Sequence, residues 1–313
     1  MAHVAREVVS HVSLPTALNN RSLELTKDIS KRFGGVSSLL SSAFLFVAAR
    51  LTGLVLLVYG GGVLQQQRPD VPDPAKLGVK VERAGDVLTF TLDNQERGNE
   101  VNGGMFDAML SELRREASRP EARVLRIGAR GKVFCTGRER AGRDAETIRH
   151  EAVRIIELKR CLRASPLISV AEVQGDAFGF GFGLAILCDF ALVAEHAALG
   201  FPEMRSGLAP SAVMAYLGEY ALPRFAFPLV LFGDPISPQV AIEAGLISQV
   251  CPADRLAIEA DTLVSRILRL DPTATRRCKQ FFQAAQQNAF DQNCRLAAEA
   301  LTIDSLARLA REK

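Results

Sequence analysis

The stretch that decides the fold is Gln174-Gly-Asp-Ala-Phe-Gly-Phe-Gly-Phe-Gly-Leu-Ala-Ile-Leu-Cys-Asp189. It follows an apolar run over residues 167–173, and this order predicts a buried strand, a glycine-rich turn and a helix. A helix start offers unpaired backbone N–H groups and the positive end of a dipole, and glycines let an anionic oxygen approach that backbone closely. A lone acid, Glu203, follows the next short strand, and we expect it to lie beside the oxygen that the turn holds.

Glycine-rich turns also bind nucleotides, but this one lacks the required spacing. A dinucleotide fingerprint needs Gly-x-Gly-x-x-Gly/Ala. Counted from Gly179, the small residue is replaced by Leu184, and counted from Gly181 it is replaced by Ile186. The Gly-Lys-Ser/Thr ending of a phosphate loop is also missing, because Gly183 is followed by Leu184. The sequence therefore argues against nucleotide binding of either kind.

The flanking sequence predicts an α/β protein. Alternating residues over 79–92 indicate a hairpin that turns at Ala84-Gly85, and Asn102 precedes a helix with one apolar face. Residues 124–127 and 167–173 are typical of buried strands, with an amphipathic helix over 145–164 between them. From residue 254 onward the sequence favours helices that are broken at Asp271-Pro272.

Further motifs surround the central stretch, and several landmarks in order are far more specific than any one of them. Besides the hairpin with Asn102, they are Gly131-Lys-Val-Phe-Cys-Thr-Gly-Arg138, Gly200-Phe-Pro-Glu203, Gly207-Leu-Ala-Pro210, Phe232-Gly-Asp-Pro-Ile-Ser237 and Ala244-Gly-Leu-Ile-Ser248. From about residue 76 to about residue 290 the chain resembles the enoyl-CoA hydratase/isomerase, or crotonase, superfamily. The resemblance implies an α/β fold, namely a crotonase-like spiral of ββα units with a C-terminal helical region. It also implies acyl-CoA substrates; since coenzyme A is then part of the substrate, no separate cofactor and no metal are expected.

The resemblance also implies roles for particular positions. The backbone N–H groups of Arg138 and Phe180 would form an oxyanion hole for the thioester oxygen as it becomes an enolate, and each such donor is worth roughly 10²–10³ in rate. Glu203 would be the catalytic residue, and Arg140 and Arg143 are candidate CoA contacts. The family usually has a small residue at position 180, so the phenylalanine is expected to narrow or reshape the acyl pocket. That pocket would be lined by Phe178, Gly179, Gly181, Phe182, Gly183 and Pro202.

The acidic residues expected at the site are compatible with three functions. Hydratases of the family carry two glutamates that activate a water, and Gly183 stands where the first would be, so only Glu203 remains. A single carboxylate can still take a proton from one carbon and return it to another, which favours a shift of the double bond in an enoyl-CoA. Hydration of an enoyl-CoA is the alternative, and a neighbouring acid such as Glu139, Asp144 or Glu146 could then substitute. A second alternative is a non-catalytic relative that binds acyl-CoA or a partner protein.

Composition excludes several other classes. The chain has 313 residues, 48% hydrophobic and 23% charged, which suffices for one substantial core plus appendages. A net charge of +3 leaves no basic field for nucleic acid, so no nucleic-acid partner is expected. The six cysteines include no Cys-x-x-Cys pair, so neither a zinc knuckle nor a disulfide framework is indicated. This pattern predicts a reducing compartment, the cytoplasm.

Three regions are predicted: an N-terminal extension over 1–75, a catalytic core over 76–253 and a helical region over 254–313. In related proteins such terminal helices pack across subunits, which implies a homotrimer or a dimer of trimers. The extension contains an apolar segment over 43–64 that is long enough to span a bilayer, although Arg50 within it would be costly there. Three interpretations stay open: a non-native extension, a membrane anchor that associates the protein with a membrane, and an oligomerisation helix. Pro69, Pro72 and Pro74 mark the linker.

Overall fold

The computed structural model of this chain describes residues 77–311. Its strands are β1 (Val79–Ala84), β2 (Val87–Leu92), β3 (Val124–Ala129), β4 (Val133–Cys135), β5 (Ile168–Val173), β6 (Asp176–Phe178), β7 (Phe190–Ala194), β8 (Leu199–Gly200) and β9 (Gln249–Cys251). Its α-helices are α1 (Gly103–Ser118), α2 (Ala145–Arg163), α3 (Phe180–Leu187), α4 (Ser211–Leu217), α5 (Pro223–Phe232), α6 (Pro238–Glu243), α7 (Leu256–Leu268), α8 (Pro272–Ala285) and α9 (Phe290–Arg311). A short 3₁₀ helix, Pro202–Ser206, lies between β8 and α4.

The strands form two sheets. The larger has the order β1-β2-β3-β5-β7-β9, and the smaller has the order β4-β6-β8. The hairpin of β1 and β2 is antiparallel, whereas every later pairing in both sheets is parallel. Successive strands alternate between the sheets before a helix returns the chain, as in β3-β4-α2 and β5-β6-α3. This is the spiral of ββα units that the sequence predicts.

The core lies on both faces of the larger sheet. One face packs against α1, whose buried side chains Met105, Phe106, Met109, Leu110 and Leu113 belong to the main apolar cluster. The opposite face packs against α7 through a second cluster. Adjacent residues of β3 are buried on opposite faces of the sheet: Leu125 belongs to the main apolar cluster and Val124 to the second cluster. Continuous apolar strands are thus buried on both sides, as parallel sheets require.

Local sequence signals set the ends of several elements. Asn102 caps α1 by accepting a hydrogen bond from the backbone N–H of Met105 at 3.0 Å, as predicted. The helix predicted over 145–164 is observed as α2, and the side chain of Asp144 caps it. The predicted break at Asp271-Pro272 is confirmed, since Asp271 is the N-cap of α8. These boundaries depend on contacts within a few residues, which is why the sequence predicts them.

The N-terminal extension lies outside the described residues, and so does its apolar segment over 43–64. The interpretations of that segment therefore stay predictions. Among residues 77–311, no helix combines the length and the apolarity that crossing a bilayer requires.

Candidate active site

Two neighbouring strands of the smaller sheet bring the predicted oxyanion donors together. β4 and β6 pair in parallel, with Cys135 opposite Ala177. Arg138 and Phe180 each lie three residues beyond that pair, so they leave the same edge of the sheet from strands about 4.8 Å apart. Within the described residues, neither backbone N–H donates to a protein acceptor. The two amides are thus available to an incoming oxygen.

Glycines let the backbones at this edge approach one another. Gly179 precedes Phe180 with φ 54°, a conformation that residues with a side chain rarely adopt. A Cβ at Gly181 would lie 2.5 Å from the carbonyl oxygen of Cys135, so the first turn of α3 rests directly on β4. The N-terminus of α3 adds the positive end of its dipole beside the donor of Phe180.

Glu203 reaches the same edge from the 3₁₀ helix after β8. A Cβ at Gly179 would lie 2.9 Å from its Oε1, so the carboxylate rests against the residue before Phe180. Its Oε2 is buried and has no hydrogen-bond partner in the described structure. Burial raises the pKa of this carboxyl, while the positive charges of Arg140, Lys159 and Arg138 act in the opposite direction. The result is a partly desolvated carboxylate near two backbone amides that make no hydrogen bond within the described residues.

A cavity of about 1090 Å³ opens in front of these groups. This is large enough for a small-molecule site, which typically occupies roughly 300–1,000 Å³. Of the residues predicted from sequence, those that line it are Arg138, Glu139, Arg140, Arg143, Gly179, Phe180, Pro202 and Glu203. Their functional roles remain predictions. In the described part of the chain no cluster of His, Cys, Asp or Glu is arranged to hold a metal ion.

Four predicted pocket residues, Phe178, Gly181, Phe182 and Gly183, are not among those that line this cavity. Phe182 is fully buried and stacks on Phe201 with ring centroids 5.1 Å apart, so its ring belongs to the core. Gly181 faces β4, as described above. The expected pocket roles of these four residues stay predictions, since Phe178 ends β6 and the other three lie on α3, away from the cavity wall.

The Phe180 ring lies partly in the apolar core. It meets the ring of Phe106 on α1 edge to face, with centroids 5.0 Å apart, and is only 6% exposed. It also forms part of the cavity wall. The ring therefore packs against α1 and also contributes to the cavity wall, and the expected narrowing of an acyl pocket stays a prediction.

The three arginines near the site, Arg138, Arg140 and Arg143, differ in what their side chains contact. The Arg138 side chain lies 3.6 Å from the carboxylate of Glu151 on α2. Arg143 donates to the backbone carbonyls of Arg140 and Gly142 at 3.1 and 3.2 Å. Arg140 is exposed at the cavity wall. An exposed cation at the opening could meet a CoA phosphate, so the predicted contact stays open.

Lys159 and Tyr216 were missed by sequence reasoning. A Cβ at Gly183 would lie 2.7 Å from the Tyr216 hydroxyl and 3.5 Å from Lys159 Nζ, so these two groups fill the space beside the glycine. One signal was available. Lys159 shares the buried face of α2 with Ile155, Leu158 and Leu162, where an apolar residue is expected.

Comparisons with known proteins agree with this architecture. The family model for enoyl-CoA hydratase/isomerase matches residues 82–305. The 2,3-dehydroadipyl-CoA hydratase of Escherichia coli K12 is 31% identical over 217 residues, covering 67% of this chain and 83% of that protein. The mitochondrial enoyl-CoA hydratase domain-containing protein 3 of Rattus norvegicus is 27% identical over 245 residues, covering 76% and 81%.

Solved structures give the same result. An enoyl-CoA hydratase from Bacillus anthracis has a TM-score of 0.68 at 26% identity and covers 72% of this chain and 90% of its own. A Thermobifida fusca YX protein, assigned as an enoyl-CoA hydratase and solved in complex with CoA, has a TM-score of 0.69 at 27% identity and covers 78% and 99%.

The family match covers well over half of the chain, so the chain belongs to the enoyl-CoA hydratase/isomerase family. Its fold is the crotonase fold with a C-terminal helical region. It is an acyl-CoA enzyme of the hydratase or isomerase type.

Proposed function

We propose that this enzyme shifts the carbon–carbon double bond of an enoyl-CoA thioester. Glu203 moves the proton, and the backbone N–H groups of Arg138 and Phe180 hold the thioester oxygen. The observation that carries the proposal is the pairing of one partly buried carboxylate with a filled space at Gly183. Tyr216 and Lys159 occupy the region that a second glutamate on α3 would need.

The chemistry needs only one base. In a 3-enoyl-CoA, the C2 carbon lies between the thioester carbonyl and the double bond. Glu203 removes a C2 proton, and the electron pair delocalises onto the thioester oxygen, where two preorganised donors stabilise the charge. Return of the proton to C4 gives the conjugated 2-enoyl-CoA and regenerates the carboxylate. Burial that raises the pKa of Glu203 makes the carboxylate a better proton acceptor for the first step.

Hydration is the second candidate, and it would need another acid to hold the water. The other carboxylates at the cavity wall are Glu100 and Glu139, and both pair with Arg97, at 3.3 and 2.9 Å. Asp144 accepts hydrogen bonds from Thr147 as the cap of α2, and its side chain is exposed. Because Glu100 and Glu139 pair with Arg97 and Asp144 caps α2, we favour isomerisation, which needs Glu203 alone.

The proposal is tested by incubating the purified protein with 3-enoyl-CoA and 2-enoyl-CoA substrates of several chain lengths. The wild type should interconvert the two isomers, followed by the ultraviolet absorbance of the conjugated thioester. Glu203→Gln should lower kcat by about 10²–10⁴-fold, because a positioned proton-transfer group contributes that much.

The matched control is Glu195→Gln, which neutralises an exposed carboxylate that does not line the cavity. It should keep wild-type activity. Addition of water without migration of the double bond, detected by mass spectrometry, would favour hydration instead. Equal inertness of wild type and Glu203→Gln over a broad acyl panel would favour the binding-only alternative.

The proposal extends to assembly and location. A homotrimer or a dimer of trimers is supported by large apolar side chains that α9 leaves exposed, among them Phe290 and Leu301. The cytoplasm is supported by six cysteines that form no disulfide in the structure.

A further inference from the structure

Two charged side chains lie over the same turn of α3. Gly183 leaves room for Lys159 as Gly179 leaves room for Glu203, with the nearest charged atoms 3.5 and 2.9 Å from where each Cβ would be. The two glycines are one turn apart and are joined by a hydrogen bond of 3.0 Å from the Gly183 N–H to the Gly179 carbonyl. Lys159 also forms part of the cavity wall. An ammonium group therefore belongs to the same cavity as the base.

The ammonium group makes two hydrogen bonds and lies over the Tyr216 ring, 4.7 Å from the ring centroid. Lys159 Nζ donates to the carbonyl of Ala212 and to the hydroxyl of Tyr216, both at 3.1 Å. Tyr216 in turn donates to the carbonyl of Gly183 at 2.8 Å. A lysine carries three donors, so one N–H of Lys159 is left for a ligand. None of the ion pairs between the described residues includes Lys159.

A buried cation without a direct ion pair is costly, because only more distant charges offset its desolvation. Lys159 is only 6% exposed. Burial lowers its pKa to about 8, an effect that the negative charge of Glu203 opposes. The group is still mostly protonated at neutral pH. Such a residue in a cavity is typical of a binding site, since an anionic ligand would provide the missing partner.

We propose that Lys159, held over Gly183 by Tyr216, binds a carboxylate on the acyl group, so that the substrates are CoA thioesters of dicarboxylic acids. The inference rests on the proposed acyl-CoA function and names its substrate class. A neutral acyl chain would leave the third N–H of Lys159 without a partner. A carboxylate would accept it and would also offset the charge of the ammonium.

The test measures binding, without turnover, by isothermal titration calorimetry. The ligands are malonyl-, succinyl- and glutaryl-CoA, each compared with the thioester in which an isopropyl group replaces the carboxylate. Those isosteres are 3-methylbutanoyl-, 4-methylpentanoyl- and 5-methylhexanoyl-CoA. Because both members of a pair carry the same CoA, the ratio of their Kd values isolates the terminal group. The three acyl lengths place the carboxylate at three different separations from the thioester.

For at least one pair, the wild type should bind the carboxylate about tenfold to 100-fold more tightly than its isostere, as expected for a charge-assisted hydrogen bond. Lys159→Met should lose that preference. Tyr216→Phe, which removes one of the two hydrogen bonds of Nζ, should reduce it. Lys132→Met removes the same charge from an exposed site outside the cavity and should leave the ratio unchanged.

Each other result contradicts the proposal in a distinct way. A wild type that binds both members of every pair equally overturns the role of Lys159 and leaves acyl-CoA binding intact. A preference that survives in Lys159→Met overturns it as well. A wild type that binds no acyl-CoA at all overturns this inference together with the proposed function. If Lys159→Met fails to fold, Tyr216→Phe becomes the test of Lys159, and an unchanged ratio in that variant overturns the proposal.

Discussion

Gly175 lies where the turn between β5 and β6 passes over β4. A Cβ at this position would overlap the carbonyl oxygen of Lys132, a backbone atom that cannot move away without shifting β4. The same strand leads to Arg138, so close packing at Gly175 also sets the position of one oxyanion donor. No side chain can be added here without disturbing the site.

We expect Gly175→Ala to destabilise the protein by about 3 kcal/mol or more, because overpacking against backbone forces the strands apart. Chemical denaturation followed by circular dichroism measures the change. Gly218→Ala is the control, since Gly218 has helical φ and ψ and open space around its Cβ position. It should be neutral or slightly stabilising. Equal stability of wild type and Gly175→Ala would contradict the close contact between Gly175 and β4.

The raised pKa of Glu203 predicts how activity depends on pH. A base must be ionised, so kcat/KM should fall as the pH drops through the pKa of Glu203, which burial holds above its ordinary value. The positive charge of Lys159 lowers that pKa. Lys159→Met should therefore move the acid limb of the pH profile to higher pH, whereas Lys132→Met should not. A limb that stays in place in Lys159→Met would show that the two groups are not coupled.

At the level of elements, a buried lysine attaches the C-terminal region to the larger sheet. Lys279 on α8 donates to the carboxylate of Asp189 at 2.7 Å and to the carbonyl of Leu167 at 2.6 Å. The same Asp189 oxygen accepts from the backbone N–H and hydroxyl of Ser169, at 2.7 and 2.8 Å. Asp189 therefore joins β5, the start of β7 and α8, which agrees with a structural role for this residue.

Replacement of Lys279 by methionine should lower the free energy of unfolding by about 2 kcal/mol, because the half-buried carboxylate of Asp189 loses its charged donor. Denaturant titration measures the loss. The control is Arg255→Met, which breaks an exposed pair with Glu259 on α7 and should cost under about 0.5 kcal/mol. Equal stability of Lys279→Met and Arg255→Met would contradict the prediction that the contact between Lys279 and Asp189 stabilises the protein more than an exposed ion pair does.

At the level of the whole molecule, α9 differs from the other long helices. The large apolar side chains that it exposes, with exposed fractions between 52% and 79%, are Phe290, Leu301, Ile303, Leu306 and Leu309. An isolated chain would present these groups to water, which is typical of surfaces that meet another protein. We expect them to pack against a second copy of the chain.

Size-exclusion chromatography with light scattering should report the homotrimer or dimer of trimers that the family resemblance implies. A double change, Leu301→Asp with Leu306→Asp, should shift the protein towards monomer, because burying two carboxylates in an apolar interface is costly. Ile258→Asp places one charge at an exposed position on α7 and should leave the assembly intact. A monomeric wild type would contradict the prediction.

The local parts of this structure follow directly from the chain. Asn102 and Asp271 cap helices through hydrogen bonds to residues three positions away. The glycine-rich stretch after residues 167–173 predicts the turn and the start of α3 for the same reason. Ordered motifs also indicated the crotonase fold and the cavity positions of Arg138, Phe180 and Glu203. Such features depend on residues that are close together in the sequence and on the local backbone conformation, so the sequence predicts them.

Only the tertiary structure decided which groups meet across the cavity. Lys159 and Tyr216 are 57 positions apart, yet they share a hydrogen bond beside Gly183. In the same way, Phe182 joins Phe201 in the core while its neighbour Gly183 faces polar groups. Contacts between distant helices depend on how close-packed elements fill space, and a glycine in the sequence does not reveal which side chain will occupy the room it leaves.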